Sequence, residues 1–174
     1  MRRAILITGY ACLLALAACV RTEKPAGAAD TSAASTRLPP ADVVRVSVSE
    51  VEITAGGAAE ATVRLAIADG FHINANPPTF PYLIATKVEA ATGEGISAGQ
   101  PVYPAPVTRK FSFNDTPLAV YEGEAVEIRL PVSAGKTTRK GAHRLPAKVR
   151  VQPCNDEACF PPSTLETVIP ITVK

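Results

Sequence analysis

Histidine and methionine are scarce in this chain, and their scarcity limits the metal chemistry that the sequence can support. The chain has two histidines, His72 and His143, and one methionine, which is the initiator. A zinc ion needs about four N, S or O ligands, and copper carriers use clusters of Met and His. We therefore expect no metal site and no other cofactor.

The sequence also lacks the signatures of several other functions. Arg2 and Arg3 belong to an N-terminal processing segment, and without them the 18 Lys and Arg residues are reduced to the number of Asp and Glu residues, 16. No basic patch then favours nucleic acid. Beyond residue 19, no run of about 18 apolar residues predicts a membrane-spanning helix.

The N-terminal segment is typical of an exported protein. Arg2 and Arg3 precede the apolar stretch 4–15, and Leu16-Ala17-Ala18-Cys19 follows it. This arrangement resembles the lipobox of bacterial lipoproteins. The resemblance implies that residues 1–18 are a signal peptide and that Cys19 carries a lipid anchor. The alternative is an ordinary signal peptide with an incidental cysteine.

Residues 19–41 are rich in Ala, Thr, Ser and Pro, which predicts a flexible tether between the lipid and the domain. Export places the domain in the bacterial periplasm. By analogy with enterobacterial lipoproteins, Val20 in place of an aspartate favours the outer membrane. The compartment is oxidising, so Cys154 and Cys159, the cysteines that remain after Cys12 and Cys19 are assigned, can form a disulfide.

From residue 42 onward the pattern is that of short β-strands. Apolar residues alternate with polar ones in about seven or eight segments that are separated by Gly, Pro and Asn turns, and no long segment has a helical period. We expect a strand at 83–91 and a loop at 93–99. We predict that residues 42–174 form an all-β, immunoglobulin-like two-sheet sandwich and that the protein is a monomer. The same alternation predicts that His72, between Phe71 and Ile73, faces solvent.

The stretch from Val149 to Pro162 contains the two candidate reactive residues of the domain, Cys154 and Cys159. An alternating strand runs into Cys154, and a short turn-prone segment leads to Cys159. If the chain reverses there, the cysteines face each other at a separation that a disulfide tolerates. A loop this short is worth only about 2 kcal/mol as a cross-link. The spacing alone leaves two alternatives, a structural cross-link and a redox site.

Five short motifs of the sequence point in the same direction. They are Gly70-Phe71-His72-Ile73-Asn74, Phe111-Ser112-Phe113, Val120-Tyr121-Glu122-Gly123, Gln152-Pro153-Cys154 and Cys159-Phe160-Pro161-Pro162. Together they resemble one protein family, the N-terminal periplasmic domain of the thiol:disulfide interchange protein DsbD. The resemblance spans Val43 to Val173. It implies an immunoglobulin-like sandwich whose two cysteines take electrons from a membrane reductase and pass them to periplasmic thioredoxin-like proteins.

The resemblance also assigns a role to Phe111, which corresponds to a phenylalanine that covers the sulfurs from a cap loop. Two differences from the family are apparent. Arg109 and Lys110 replace acidic residues that usually precede that phenylalanine. The family's membrane and thioredoxin-like domains are absent from this sequence, so the redox partners, thioredoxin-like or membrane-embedded, act in trans.

Two functions therefore remain. The first is a cofactor-free thiol–disulfide relay that uses Cys154 and Cys159 and is tethered to a membrane through Cys19. The second is a lipid-anchored β-sandwich that binds or scaffolds, with a purely structural disulfide.

Overall fold

The computed structural model describes residues 42–174, and this part of the chain consists of β-strands, turns and loops. None of its elements is a helix that could cross a membrane. The strands are β1 (Val44–Val48), β2 (Val51–Ile53), β3 (Ala58–Ile67), β4 (His72–Asn74), β5 (Lys87–Ala90), β6 (Ile96–Ala98), β7 (Val107–Phe111), β8 (Asn114–Tyr121), β9 (Val126–Ala134), β10 (Gly141–Val151), β11 (Pro153–Cys154) and β12 (Ser163–Val173).

The strands form three sheets of four strands each. The first sheet has the order β1-β3-β9-β6, the second β2-β12-β10-β5 and the third β11-β4-β8-β7. Strands β2 and β12 pair in parallel. The long neighbours β3 and β9, and likewise β10 and β12, pair antiparallel. The predicted all-β, immunoglobulin-like sandwich is confirmed in the first two sheets, whereas the third sheet was not predicted.

The alternation of apolar and polar residues determines which face of each long strand is buried. In β9, Val126, Ile128, Leu130 and Val132 are buried, and in β10 every second residue from His143 to Val151 is buried. These inner faces of the first and second sheets belong to one hydrophobic core. Burial of apolar side chains at roughly 25 cal/mol per Å² is the main force that holds such a sandwich together.

The third sheet lies where the chain leaves the sandwich. After β10 ends at Val151, Gln152 leads directly into β11. One face of this sheet contributes Ile73 and Tyr121 to the main core. Its other apolar residues, Phe111, Leu118 and Val120, form a separate small cluster with Phe80 and Leu83. The cysteine pair is therefore held by a sheet that has a hydrophobic cluster of its own.

Some local predictions differ from the structure. The segment 93–99 was predicted to be a loop, but its residues Ile96–Ala98 form β6, because Ile96 is buried and the strand pairs with the end of β9. The segment 83–91, predicted as a strand, is a strand only at Lys87–Ala90. The signal peptide, Cys19 and the tether lie outside the described residues and stay predictions.

Candidate functional site

The cysteine loop is a tight reversal that is fixed by its own backbone. Cys154 and Cys159 are joined by a disulfide, with their Cα atoms 4.0 Å apart. The side-chain oxygen of Asn155 accepts hydrogen bonds from the amides of Glu157 at 3.0 Å and Ala158 at 2.8 Å. The amide of Phe160 donates to the carbonyl oxygen of Pro153 at 2.9 Å. The loop therefore holds the two sulfurs together at the edge of the third sheet.

The two cysteines differ in their access to solvent. Cys154 is completely buried, whereas Cys159 is exposed. Cys154 lies in β11 and pairs with β4, and Cys159 lies beyond the turn, where Pro161 and Pro162 cannot donate backbone hydrogen bonds. A thiolate on another protein can approach a sulfur only where that sulfur is accessible. The exposed side of the disulfide is therefore the Cys159 side.

A polar network attaches the cysteine loop to β4. The side-chain amide of Asn74 donates to the side-chain oxygen of Gln152 at 3.3 Å, and that of Gln152 donates to the carbonyl oxygen of Phe160 at 3.1 Å. Asn74 and Gln152 are 78 positions apart in the chain. Both residues belong to the motifs of the family resemblance, but the sequence assigned neither of them a role, because no local pattern connects positions that are so distant.

Phe111 lies at the end of β7, in the hairpin that β7 forms with β8. Its side chain is buried although the other residues of β7 are exposed. The ring stacks on that of His72, with centroids 4.2 Å apart, and on that of Phe113 at 5.3 Å. The hydroxyl of Ser112, at the tip of the hairpin, donates to the carbonyl oxygen of Asp156 in the cysteine loop at 3.3 Å. The structure thus brings Phe111 next to the residue that pairs with Cys154.

The prediction that His72 faces solvent is wrong. His72 is only 3% exposed, and all three residues of β4 are buried. One face of this strand packs on the main core through Ile73, and the other is covered by the ring of Phe111. Alternation predicts an exposed face only when one side of a strand meets water, and β4 lies between two apolar layers.

The environment of His72 keeps its imidazole neutral. Burial lowers the pKa of His72 from 6.5 to about 4, with a smaller lowering by Arg109 and an opposing effect of Asp156. These two charged residues line a cleft of about 300 Å³ together with His72, Phe111 and Glu122. Arg109, one of the basic residues that replace the acidic cap residues, lies 3.4 Å from the carboxylate of Glu122. The site is therefore an apolar stack with a charged rim.

Within residues 42–174 there is no group of three or more His, Cys, Asp and Glu residues that could hold a metal ion. The second histidine, His143, lies in β10 of the second sheet, and its ring nitrogens lie 2.7 Å from a Glu94 carboxylate oxygen and 2.6 Å from the carbonyl oxygen of Arg139. The chemistry available at the site is thus that of the disulfide and the side chains around it.

Known proteins resemble this chain in sequence and in structure. The family model for the N-terminal domain of the thiol:disulfide interchange protein DsbD matches residues 35–170. Among solved structures, the reduced DsbD N-terminal domain of Neisseria meningitidis is 20% identical, with 76% of this chain and 88% of that chain covered and a TM-score of 0.46. No curated protein sequence matches significantly.

A second similar structure is the N-terminal periplasmic domain of ScsB from Proteus mirabilis. It is 12% identical, the match covers 76% of this chain and 48% of that chain, and the TM-score is 0.50. This chain thus spans about half the length of that ScsB chain. At such low identity the likeness supports the fold alone. The family assignment depends on the sequence model, which covers most of the chain: the chain belongs to the family of the N-terminal domain of the thiol:disulfide interchange protein DsbD.

Proposed function

We propose that this protein is a membrane-tethered periplasmic thiol–disulfide exchange protein, which relays electrons through Cys154 and Cys159. The observation that carries the proposal is a disulfide with one exposed cysteine, at the sheet edge of a domain from the DsbD N-terminal family. A disulfide that served only as a cross-link has no need of an accessible sulfur. Its small loop also makes it an inefficient cross-link.

The exposure of the two cysteines gives the order of the chemical steps. A thiolate of a partner dithiol attacks Cys159 Sγ, the bond between the two cysteines breaks, and Cys154 departs as a thiolate that takes up a proton. The partner's second thiol then loses its proton and attacks the mixed disulfide. Cys159 is released and protonated, and the partner becomes a disulfide. Two electrons pass to this protein, and the reverse sequence passes them on.

The disulfide is the passive participant in this exchange. Low thiol pKa values in redox proteins commonly arise at helix N-termini, and the part of the chain that the structure describes contains no helix. The reactive thiolate therefore belongs to the partner. The partners are thioredoxin-like domains or a membrane-embedded reductase, as in the family to which the chain belongs.

Phe111 acts as a cap that restricts access to the sulfurs. It covers His72, the cross-strand neighbour of Cys154, and the adjacent Ser112 binds the cysteine loop. A bulky protein surface can displace the β7–β8 hairpin by contact, whereas a small thiol gains too little binding energy to do so. The cap therefore favours protein partners over glutathione.

The lipid anchor on Cys19 and the tether of residues 19–41 complete the proposal. They keep the domain of residues 42–174 at the membrane, with the outer membrane favoured. In this arrangement the redox chemistry needs no cofactor and no metal, and the domain acts as a monomer.

The decisive experiment measures the reduction potential of the disulfide in the folded protein. Relay disulfides lie above about −300 mV and structural ones below it. We expect a value above that limit and rapid exchange with a thioredoxin-like protein. If the disulfide is reduced only when the protein unfolds, the alternative of a lipid-anchored binding or scaffold module with a structural disulfide is correct.

A further inference from the structure

A buried nitrogen of His72 has no partner in the oxidised protein. Nε2 of this side chain is inaccessible to solvent and makes no hydrogen bond. A buried polar atom without a partner is unfavourable, because it loses its hydrogen bonds to water and gains none in return. Such an atom suggests that its partner is present only in another state of the protein.

The β11–β4 register places Cys154 directly opposite His72. Cys154 and His72 are directly opposed in the antiparallel pair, so their side chains emerge on the same face of the sheet. Cβ atoms of directly opposed residues lie about 4.5–5.5 Å apart, which is within reach of a histidine ring. Both side chains are buried and Phe111 covers the ring of His72, so water cannot supply the missing hydrogen bond.

Reduction changes what Cys154 can donate. In the disulfide its sulfur carries no hydrogen, whereas the thiol formed on reduction has one S–H donor. The Gln152 carbonyl oxygen, 3.8 Å from Cys154 Sγ, is one acceptor near this sulfur. This separation is near the long end for a sulfur donor, and the unpartnered nitrogen of His72 is the alternative acceptor.

We propose that Nε2 of His72 accepts a hydrogen bond from the Cys154 thiol when the disulfide is reduced, and that this bond favours the reduced state. The inference rests on the proposed function, since it assumes reduction in the folded protein. His72 acts here as a positioning residue through Cys154 and does not contact the incoming partner. The low pKa of His72 is consistent with this role, because only a neutral imidazole has a nitrogen free to accept.

The hydrogen bond enters the exchange after the first bond-breaking step. The partner thiolate bonds to Cys159 Sγ, the Cys154 sulfur leaves with the electron pair of the broken bond, and a proton from solvent converts it into the thiol. The S–H group of Cys154 then donates a hydrogen bond to Nε2 of His72. A fully buried thiolate is costly, so an acceptor that stabilises the protonated product shifts the equilibrium toward completion.

The first test is the ¹⁵N NMR signal of His72 in the folded wild-type protein, before and after reduction with excess dithiothreitol. We expect the Nε2 resonance to shift on reduction. His143 is the internal control, because both its ring nitrogens already have acceptors within hydrogen-bond distance, so its signals should not move. An unchanged Nε2 signal in a protein that is reduced and folded would overturn the inference and leave the proposed function intact.

The second test compares the redox equilibrium of variants against a glutathione buffer. His72→Phe keeps an aromatic ring under Phe111 but cannot accept, and we expect its equilibrium constant for reduction to fall about tenfold. His72→Gln retains an acceptor and should recover part of the loss. Equal constants for wild type and His72→Phe would overturn the inference. If the disulfide cannot be reduced in the folded protein at all, both this inference and the proposed function are wrong.

Discussion

At the scale of single residues, the unequal exposure of the two cysteines is the feature with the most direct chemical consequence. Of the two cysteines, Cys159 is exposed, whereas Cys154 is completely buried and pairs with β4. A mixed disulfide with a partner therefore forms through Cys159. Cys154 resolves this mixed disulfide when the electrons pass on from this protein to its partner.

This asymmetry predicts different results for the two single-cysteine variants. Cys154→Ala retains the exposed cysteine and lacks the second thiol, so it should accumulate a stable mixed disulfide with a thioredoxin-like protein that keeps only its nucleophilic cysteine. Cys159→Ala retains only the buried cysteine and should form several-fold less adduct. Non-reducing electrophoresis after oxidation of each mixture with diamide measures both. Equal adduct formation by the two variants would contradict the assignment.

Phe111 and Phe113 offer a matched pair of aromatic residues in one hairpin. Phe111 is buried against His72, whereas Phe113 is 44% exposed. Phe111→Ala should speed the reduction of the disulfide by glutathione several-fold, because a small thiol then reaches the sulfurs. Phe113→Ala should change this rate little. Stopped-flow measurement of thiol release, with the thermal midpoint of each variant as a control for unfolding, tests the cap.

Burial of His72 also makes a prediction about stability and pH. Its pKa is about 4 when folded and near 6.5 when unfolded, so between these values the unfolded chain binds more protons. The free energy of unfolding should therefore fall as the pH decreases from about 6.5 to about 4, by on the order of 3 kcal/mol. Urea denaturation of wild type and His72→Phe across this range measures the effect, which should be smaller in the variant. Parallel curves would show that His72 does not titrate in this way.

At the scale of elements, the strands and the cysteine reversal could be predicted, but the third sheet could not. Alternation and turn residues act over a few positions, so β9, β10 and the turn after Cys154 can be read from the sequence. The third sheet is assembled from β4, β8 and β11, which are far apart in the chain. The stacking of Phe111 on His72 follows from that assembly. This is why the role of Phe111 as a cap could be predicted only by resemblance, and why His72 was wrongly predicted to face solvent.

The small size of the cysteine loop predicts a small effect on stability. Five positions separate the two cysteines, so the cross-link removes little entropy from the unfolded chain. Replacing both with alanine should lower the free energy of unfolding by about 2 kcal/mol. Urea denaturation of the double variant measures this. A loss above about 4 kcal/mol would favour a structural role for the disulfide.

At the scale of the whole molecule, the sandwich domain and the proposed lipid anchor were predicted from different parts of the sequence. The strand pattern predicted the sandwich because it extends over the whole of residues 42–174. The anchor depends on four residues, Leu16-Ala17-Ala18-Cys19, that lie outside the described part of the chain. Its test must therefore be made on the protein in its cells.

Changing Cys19 to Ser should release the protein from the membrane fraction or leave it unprocessed, because serine cannot accept the thioether-linked lipid. Detergent phase partitioning of wild type and Cys19→Ser, with Cys12→Ser as the control, measures the difference. If Cys19→Ser partitions with the membrane as wild type does and Cys12→Ser behaves identically, the lipoprotein prediction is wrong.

Because the domain has two hydrophobic clusters, substitutions that affect the amount of folded protein and substitutions that affect its activity should fall in different places. Phe111, Leu118 and Val120 pack in a cluster distinct from the main core. A small unit of this kind opens at a lower free energy than the global unfolding of the domain. Substitutions in the sandwich core should change how much folded protein a cell retains, whereas substitutions in the small cluster should change how fast each folded molecule exchanges. Selection can therefore adjust the speed of the relay without lowering the amount of protein.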